Sequence, residues 1–173
     1  LDTPFKETAN VDHPISLYAA TKKSNELMAH AYSHLYGIET IGLRFFTVYG
    51  PWGRPDMAIF LFPDAVINNK QIKVFNNGDL FRDFTYIDDI VELVISIITK
   101  NSKNSSLYKI YNVGNSKPVQ IMDFIKYIEN YLGEEARKEL LPIQPGDVYK
   151  TWADVSRVQK DYNYKSITTV DKG

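Results

Sequence analysis

The chain contains no cysteine, and this absence excludes several kinds of chemistry at once. Without cysteine there are no disulfide bonds, no thiolate metal sites and no cysteine nucleophile. Histidine is scarce as well, with three residues in the whole chain. His30 and His34 have the i, i+4 spacing of a metal-binding pair, but no glutamate completes an HExxH motif and no third ligand is evident. We therefore predict no metal site.

An excess of charge of one sign and long apolar segments are also lacking. The 20 basic and 21 acidic residues give a net charge of −1, which argues against a surface for nucleic acid or for an anionic membrane. The longest apolar run, VELVISII at 91–98, is much shorter than the about 20 residues that cross a bilayer. We predict no nucleic-acid partner, no membrane partner and a cytoplasmic location.

Two glycine-rich phosphate-binding motifs, GxGxxG and the P-loop, are absent from the sequence. The chain has neither an initiator methionine nor a signal peptide, and its opening residues, LDTPFKETANVDHP, contain no obvious helix or strand. We expect the chain to be a piece of a longer protein. Its 173 residues, 44% of them hydrophobic, suffice for a packed core in one or two lobes.

Hydrophobic periodicity predicts an α/β protein. The clearest helix is 16–36, with Ser16 as N-cap and Gly37 as terminator. The apolar run 38–46 follows and is typical of a strand buried on both faces, as in parallel sheets. Further helices are predicted at 57–69, 88–100, 120–132 and 154–162, strands at 72–75, 81–86 and 107–114, and loops at 47–56, 101–106 and 142–150.

Three local signals refine these elements. The strands 72–75 and 81–86 flank an Asn-Asn-Gly-Asp turn, which predicts a hairpin. Asp88 is the predicted N-cap of the helix 88–100. Pro63 is expected to delay or kink the helix 57–69.

One pair of polar residues on the helix 16–36 suits proton-transfer chemistry. Tyr18 and Lys22 stand at i and i+4, so their side chains leave the same helix face. A tyrosine needs nearby positive charge to act as a phenolate at neutral pH, and Lys22 supplies it. The spacing alone is weak evidence, because YxxxK is a short motif and an ordinary surface pair would look the same.

Four segments in this order, LYAATKKSNE, LRFFTVYGPWGRPDM, FRDFTYIDDIV and PGDV, resemble those of the extended short-chain dehydrogenase/reductase family. Within it the chain looks most like the NAD-dependent nucleotide-sugar epimerases and dehydratases, and among these the UDP-glucuronate 4-epimerases. The resemblance implies that 1–50 ends a Rossmann-type NAD-binding domain and that 51–173 is mainly the smaller nucleotide-sugar lobe. The glycine-rich half of the Rossmann domain lies outside this sequence.

The resemblance also implies a reaction. Tyr18 is expected to exchange the proton of the sugar 4-hydroxyl, Lys22 to bind the nicotinamide ribose and favour the phenolate, and Phe45 to contact the cofactor. A hydride passes from sugar C4 to NAD, and the 4-keto sugar takes it back on its other face. NAD carries the redox step, while the protein supplies orientation and electrostatics.

A carboxylate clamp is implied as well. Arg54 and Thr47 are expected to hold the sugar C6 carboxylate, because a guanidinium grips a carboxylate in a bidentate manner. A 4-keto uronic acid is a β-keto acid, and the clamp would keep its carboxylate out of the alignment that releases CO2. The alternatives are that Arg54 stacks on Trp52 and that the Thr47 hydroxyl bonds the backbone.

Three further residues match nucleotide contacts of the family. Phe75 is expected near the uracil ring, Arg82 at the diphosphate and Asp147 at the ribose. The alternatives are that Phe75 is strand core, that Arg82 forms an ion pair with Asp83 or Asp79, and that Asp147 serves an ordinary turn.

The resemblance therefore implies an isomerase that interconverts UDP-glucuronate and UDP-galacturonate with NAD. Family likeness further implies a homodimer of the full-length protein through the helix 16–36, and little activity for the present chain alone. The alternatives are a UDP-glucuronate decarboxylase, another nucleotide-sugar epimerase or dehydratase, and a binding domain without catalysis.

Overall fold

The computed structural model describes residues 3–100 and 106–173, which form a mixed α/β structure. The helices are α1 (Leu17–Tyr36), α2 (Ala58–Ile67), α3 (Ile87–Thr99), α4 (Ile121–Leu132) and α5 (Ser156–Tyr162). The strands are β1 (Thr40–Phe45), β2 (Thr47–Tyr49), β3 (Gln71–Phe75), β4 (Phe81–Arg82), β5 (Phe84–Tyr86), β6 (Tyr108–Val113), β7 (Val119–Gln120) and β8 (Arg137–Leu141). The predicted fold class is confirmed.

Most strand pairs are parallel and join distant parts of the chain. β1 pairs with β6 from Thr40 opposite Tyr108 to Phe45 opposite Val113. The pairs β2–β5 and β3–β8 are also parallel, and β4–β7 is antiparallel. Parallel pairing requires long crossover connections, and here helices supply much of each crossover.

The predicted hairpin between 72–75 and 81–86 is wrong. β3 pairs with β8, whereas the segment 81–86 divides into β4, which pairs with β7, and β5, which pairs with β2. The turn between them is a 3-10 turn at Asn76–Gly78, with Asn76 and Asn77 at positive φ. The turn signal was therefore local, but the strands it joins bind other partners.

Several other predictions need correction. The loop predicted at 47–56 begins with β2, and β8 was not predicted at all. The N-cap of α3 is Tyr86 rather than Asp88, which lies in the first turn. Pro63 lies inside α2 without delaying its start. The loop predicted at 101–106 lies outside the described residues except for Ser106.

Two hydrophobic clusters form the core of the described chain. One lies between α2, β3 and α4 and contains Tyr49, Ala65, Val66, Ile72, Val74, Phe84, Phe124, Ile125 and Ile128. The other lies between α3, β6 and α5 and contains Ile90, Leu93, Tyr111, Val113, Ala153, Val155, Val158, Tyr162 and Tyr164. Removing such side chains from water is the main stabilising contribution to the fold.

Helix α1 begins and ends as predicted. The Ser16 side chain accepts a hydrogen bond from the Ala19 N–H at 3.2 Å, and Gly37 closes the helix with φ of +65°. Its apolar face, however, is not core, because Leu27, Met28 and Leu35 are all exposed. β1 is likewise only partly buried, so the expectation of a strand buried on both faces is wrong for the described residues.

A bidentate ion pair fixes α1 to the sheet. The Arg44 guanidinium donates from Nε to Glu26 Oε1 at 2.6 Å and from Nη2 to Oε2 at 2.8 Å. Tyr108 on β6 adds a hydrogen bond from its hydroxyl to the Glu26 carbonyl at 3.0 Å. Glu26 lies about two turns after Tyr18 on the same helix. This contact therefore determines where the YxxxK face stands relative to β1.

We expect Glu26→Gln to lower the free energy of unfolding at pH 7 by about 1–3 kcal/mol, since it weakens a charge-assisted pair. The Arg44 hydrogen bond lowers the pKa of Glu26 below its ordinary value of 4.5. The stabilisation is therefore full above that value and is lost as the pH falls through the lowered pKa. Urea unfolding of the complete protein at pH 7 and at pH 3 measures both effects.

Glu134→Gln is the matched control, because Glu134 is exposed. A Glu26→Gln deficit that stayed constant between pH 7 and pH 3 would contradict this account of the pair.

Candidate active site

The YxxxK pair projects from the first two turns of α1. Tyr18 is 68% exposed, and the Lys22 Nζ lies 5.4 Å from the centroid of its ring. The Ser16 cap fixes the start of the helix just before this pair, so both side chains leave a defined turn. The phenol and the neighbouring ammonium group are both exposed, so a ligand can reach the two polar groups together.

The end of β1 and the start of β2 carry two further predicted site residues. Phe45 ends β1 opposite Val113 and is half-exposed, and Thr47 begins β2 with its N–H bonded to the Asp83 carbonyl at 3.1 Å. Ligands of open parallel sheets bind beyond the carboxyl ends of the strands. Phe45 therefore stands at the edge of the sheet where ligands of such folds bind, and Thr47 lies two residues further along the chain.

The loop after β2 carries Arg54 and is held down by two glycines. A Cβ on Gly50, whose φ is +134°, would lie 2.5 Å from Ile87 Cγ2, and one on Gly53 would lie 2.7 Å from Phe60 Cε2. Between them Trp52 is fully exposed with φ of +65°, which is rare for a bulky residue. The loop is thus pinned at two points and presents its side chains to solvent.

Arg54 pairs with a neighbour in the same loop. Its Nε lies 3.2 Å from Asp56 Oδ1, and the two side chains are 74% and 70% exposed. Arg54 therefore pairs with Asp56 and not with the ring of Trp52, against the stacking alternative. An exposed pair of this kind is weak, so it can give way to another carboxylate.

Arg82 and Asp147 were predicted separately and meet in one ion pair. Arg82 Nη2 lies 2.6 Å from Asp147 Oδ1, and Nη1 donates to the Val148 carbonyl at 2.7 Å. The predicted alternative partners, Asp83 and Asp79, are wrong. The Arg82 side chain is 16% exposed, so the guanidinium is held in one place. A fixed guanidinium suits recognition of phosphate.

Phe75 ends β3 opposite Leu141 and is partly buried. It is therefore neither a fully buried core residue nor a free surface ring. Its position at a strand end leaves part of the ring available to a ligand.

Asp83, between Arg82 and Phe84, was missed as a structural element of the site. Its side chain has no exposure to solvent. Burial raises the pKa of Asp83, while hydrogen bonds from the N–H groups of Ala153, Asn115 and Ser116 act in the opposite direction. The sequence offered one signal, a carboxylate in the strand segment FRDF, which has a phenylalanine at each end. Such a residue must find internal donors if it faces the core.

The described residues do not offer a metal site or a membrane-spanning helix. Within 3–100 and 106–173, no three histidine, aspartate or glutamate side chains come together in a way that could hold a metal ion. His30 packs edge-on against the Tyr108 ring, with centroids 5.0 Å apart. Across the same two ranges, none of the helices has the length and apolar character needed to cross a membrane.

The sequence pattern of the NAD dependent epimerase/dehydratase family matches residues 1–114. The chain belongs to this family. The predicted resemblance is thereby confirmed, and the matched range includes the YxxxK helix, the Arg54 loop and Arg82.

Two curated relatives match nearly the whole of this chain. Protein CapI of Staphylococcus aureus is 52% identical over 98% of this chain and 55% of its own length. A probable UDP-glucuronate 4-epimerase of Rhizobium meliloti is 41% identical over 98% of this chain and 54% of its own. The chain therefore spans about half the length of these curated relatives.

A solved structure matches the fold closely. The UDP-glucuronic acid 4-epimerase of Bacillus cereus, in complex with UDP-glucuronic acid and NAD, superposes with a TM-score of 0.86 and 34% identity, covering 93% of this chain and 51% of that one. The fold of the family member described here is thus the Rossmann-type α/β fold that the motifs predicted.

We expect Gly50→Ala to lower the free energy of unfolding by about 1–3 kcal/mol more than Gly133→Ala does. Both glycines have positive φ, but a Cβ on Gly50 meets Ile87, whereas one on Gly133 meets nothing within 4 Å. The difference between the two variants therefore isolates the close approach that holds the Arg54 loop. Chemical unfolding of the complete protein measures it, and equal losses in the two variants would show that this approach contributes nothing.

Proposed function

We propose that the complete protein is an NAD-dependent isomerase that interconverts UDP-glucuronate and UDP-galacturonate by epimerisation at C4. The observation that carries this proposal is the YxxxK pair. Tyr18 and Lys22 share an exposed face of α1, with the Lys22 Nζ 5.4 Å from the centroid of the Tyr18 ring. The chain that carries this pair belongs to the NAD dependent epimerase/dehydratase family. Two relatives named for UDP-glucuronate or UDP-glucuronic acid 4-epimerase activity support the substrate.

In the proposed reaction Tyr18 moves the proton of the sugar 4-hydroxyl. Its exposure leaves the hydroxyl accessible to a ligand, and the Lys22 ammonium lies beside the ring, with Nζ 5.4 Å from the ring centroid. The same group returns the proton when the configuration at C4 has changed, since one residue can act first as base and then as acid.

The residues present fit NAD at its nicotinamide end. Lys22 offers N–H donors for ribose hydroxyls, and Phe45 presents half of its ring at the carboxyl end of β1. NAD supplies, when bound, a hydride acceptor and donor. The glycine-rich motif that would bind the pyrophosphate of NAD is absent from this sequence. In the proposed complete protein, another segment binds the pyrophosphate.

Arg54 and Thr47 are proposed to hold the sugar carboxylate. Thr47 begins β2, which leads into the pinned loop, and Arg54 lies in that loop. The present partner of Arg54 is itself an exposed carboxylate, Asp56. A substrate carboxylate can replace Asp56 with little cost, because the existing pair is weak. Holding that group would keep it from leaving as CO2 at the 4-keto stage.

Phe75, Arg82 and Asp147 are proposed to bind the nucleotide. Arg82 would contact the diphosphate, Asp147 the ribose and Phe75 the uracil ring. What supports this is the fixed Arg82–Asp147 pair at 2.6 Å, because a guanidinium has more N–H donors than one carboxylate oxygen uses. The segment 1–50 then serves as the end of the cofactor domain and 51–173 mainly as the nucleotide-sugar lobe.

We also propose that the complete protein is a cytoplasmic homodimer. The exposed apolar side chains of α1, among them Leu27, Met28 and Leu35, offer the surface for it. A face of this kind on one helix can pair with its own copy around a two-fold axis.

The deciding experiment gives UDP-glucuronate and NAD to the complete protein and separates the products by anion-exchange chromatography. A mixture of UDP-glucuronate and UDP-galacturonate is the expected result. A UDP-pentose with released CO2 would identify a decarboxylase and would refute the proposed role of Arg54 and Thr47.

We expect Tyr18→Phe in the complete protein to lower kcat by about 10²- to 10⁴-fold, since it removes the general acid and base. The melting temperature should stay unchanged, because the hydroxyl belongs to an exposed side chain. Coupled turnover assays and thermal unfolding measure the two quantities. Retention of full activity would show that Tyr18 is not the general acid and base.

We expect Arg54→Met to lower kcat/KM for UDP-glucuronate by about 10- to 100-fold, because a charge-assisted hydrogen bond contributes about 1.5–3 kcal/mol. The affinity for UDP should not change, since UDP has no carboxylate. Steady-state kinetics and calorimetric titration of UDP test both halves. Equal losses for UDP and UDP-glucuronate would place Arg54 at the nucleotide instead.

A further inference from the structure

Asp83 is a buried ionisable group that the proposed reaction does not use. It has no solvent exposure, and it separates β4, which carries Arg82, from β5. Burying a carboxylate costs several kcal/mol unless internal donors replace water. An apolar residue would fill the same space at a lower cost in free energy. The groups that donate hydrogen bonds to Asp83 therefore indicate what the buried carboxylate does.

Both oxygens of Asp83 accept hydrogen bonds from the backbone of two other segments. Oδ1 accepts from the N–H groups of Asn115 at 2.8 Å and of Ser116 at 3.1 Å. Oδ2 accepts from Ser116 at 3.1 Å and from Ala153 at 2.9 Å. The carboxylate thus joins the turn after β6 to the segment that follows Asp147.

The main chain around Asp83 continues this contact toward Asp147. The Asp83 N–H donates to Thr151 Oγ1 at 3.1 Å, the Thr151 N–H donates to the Phe81 carbonyl at 3.0 Å, and the Phe81 N–H donates to the Tyr149 carbonyl at 3.0 Å. At the far end Arg82 reaches Asp147 at 2.6 Å. The segment 147–153 therefore lies alongside 81–83 and is held at both ends.

We propose that Asp83 is a positioning residue, which fixes the segment 147–153 so that Asp147 and Arg82 meet as one nucleotide-binding pair. This inference rests on the proposed function of those two residues. Asp83 touches neither substrate nor cofactor in this account and acts through the backbone of its neighbours.

Two substitutions weaken different hydrogen bonds of Asp83, those of its carboxylate and that of its backbone N–H. Asp83→Asn keeps the shape but turns one acceptor into an N–H donor that faces backbone N–H groups. Thr151→Val removes the acceptor of the Asp83 N–H, and Thr151→Ser keeps that acceptor. In the complete protein we expect the dissociation constant of UDP and the KM for UDP-glucuronate to rise 10-fold or more in Asp83→Asn and 3- to 10-fold in Thr151→Val. We expect kcat to stay within twofold, and Thr151→Ser to restore wild-type values.

Asp89 supplies a matched control. It is a second buried carboxylate, and it accepts from Ser166 Oγ at 2.9 Å and from the Thr168 N–H at 3.1 Å, away from Arg82. Asp89→Asn should lower the melting temperature without changing the dissociation constant of UDP. Titration calorimetry with UDP, steady-state kinetics and thermal unfolding are measured on all variants.

The outcomes separate the possibilities. Unchanged UDP binding in Thr151→Val, or equal weakening of it in Asp89→Asn, would overturn the inference and leave Asp83 a stabilising residue only. If Asp83→Asn does not fold, the comparison of Thr151→Val with Thr151→Ser decides alone. If the wild-type protein does not bind UDP, the proposed function falls and the inference with it, whereas wild-type binding with insensitive variants removes the inference alone.

Discussion

One buried carboxylate, that of Asp83, needs hydrogen-bond donors from inside the protein. The contacts that supply them hold several segments of the chain together. Asp83 cannot reach water, so it draws the backbone of Asn115, Ser116 and Ala153 toward itself. These residues follow β6 and precede α5, so a single side chain ties the end of the parallel pair to the second hydrophobic cluster. Gly114 fits this crowding, because a Cβ there would lie 2.7 Å from the Ala153 Cβ. The proposed nucleotide-binding pair, Arg82 and Asp147, lies next to this network of hydrogen bonds.

A second charge contact performs a comparable task for the YxxxK helix. Little of α1 is buried, and Ser33 is its buried residue, so apolar packing alone holds it weakly. The bidentate Glu26–Arg44 pair and the Tyr108 hydroxyl compensate by fixing the middle of the helix to β1 and β6. The polar end of α1 can therefore remain exposed without becoming free to move. The site combines a firmly held backbone with side chains that are open to solvent, as a binding surface requires.

Local features of this fold could be predicted from the sequence, and long-range ones could not. The cap at Ser16, the stop at Gly37 and the periodicity of α4 depend on neighbouring residues, and all three agree with the structure. The hairpin failed because β3 pairs with β8, whose sequence RKELL carries little strand signal. At the site, family motifs named Arg82 and Asp147, but their ion pair needed a fold that brings 82 beside 147. The sequence indicated only that Asp83 needs internal donors, and it could not identify them, because they are backbone N–H groups, which any sequence contains.

The parallel pairings have a consequence for how the chain acquires this structure. Thr40 lies opposite Tyr108 and Gln71 opposite Arg137, so each of these pairs must close a long loop before any of its hydrogen bonds form. Loop closure costs entropy that local helices do not incur, and chains dominated by distant contacts fold slowly. α1 and α4 can form early, whereas β1 must wait for β6 to be synthesised and to arrive. During that interval the backbone of β1 is unpaired and its apolar side chains are uncovered, a condition that favours aggregation during folding.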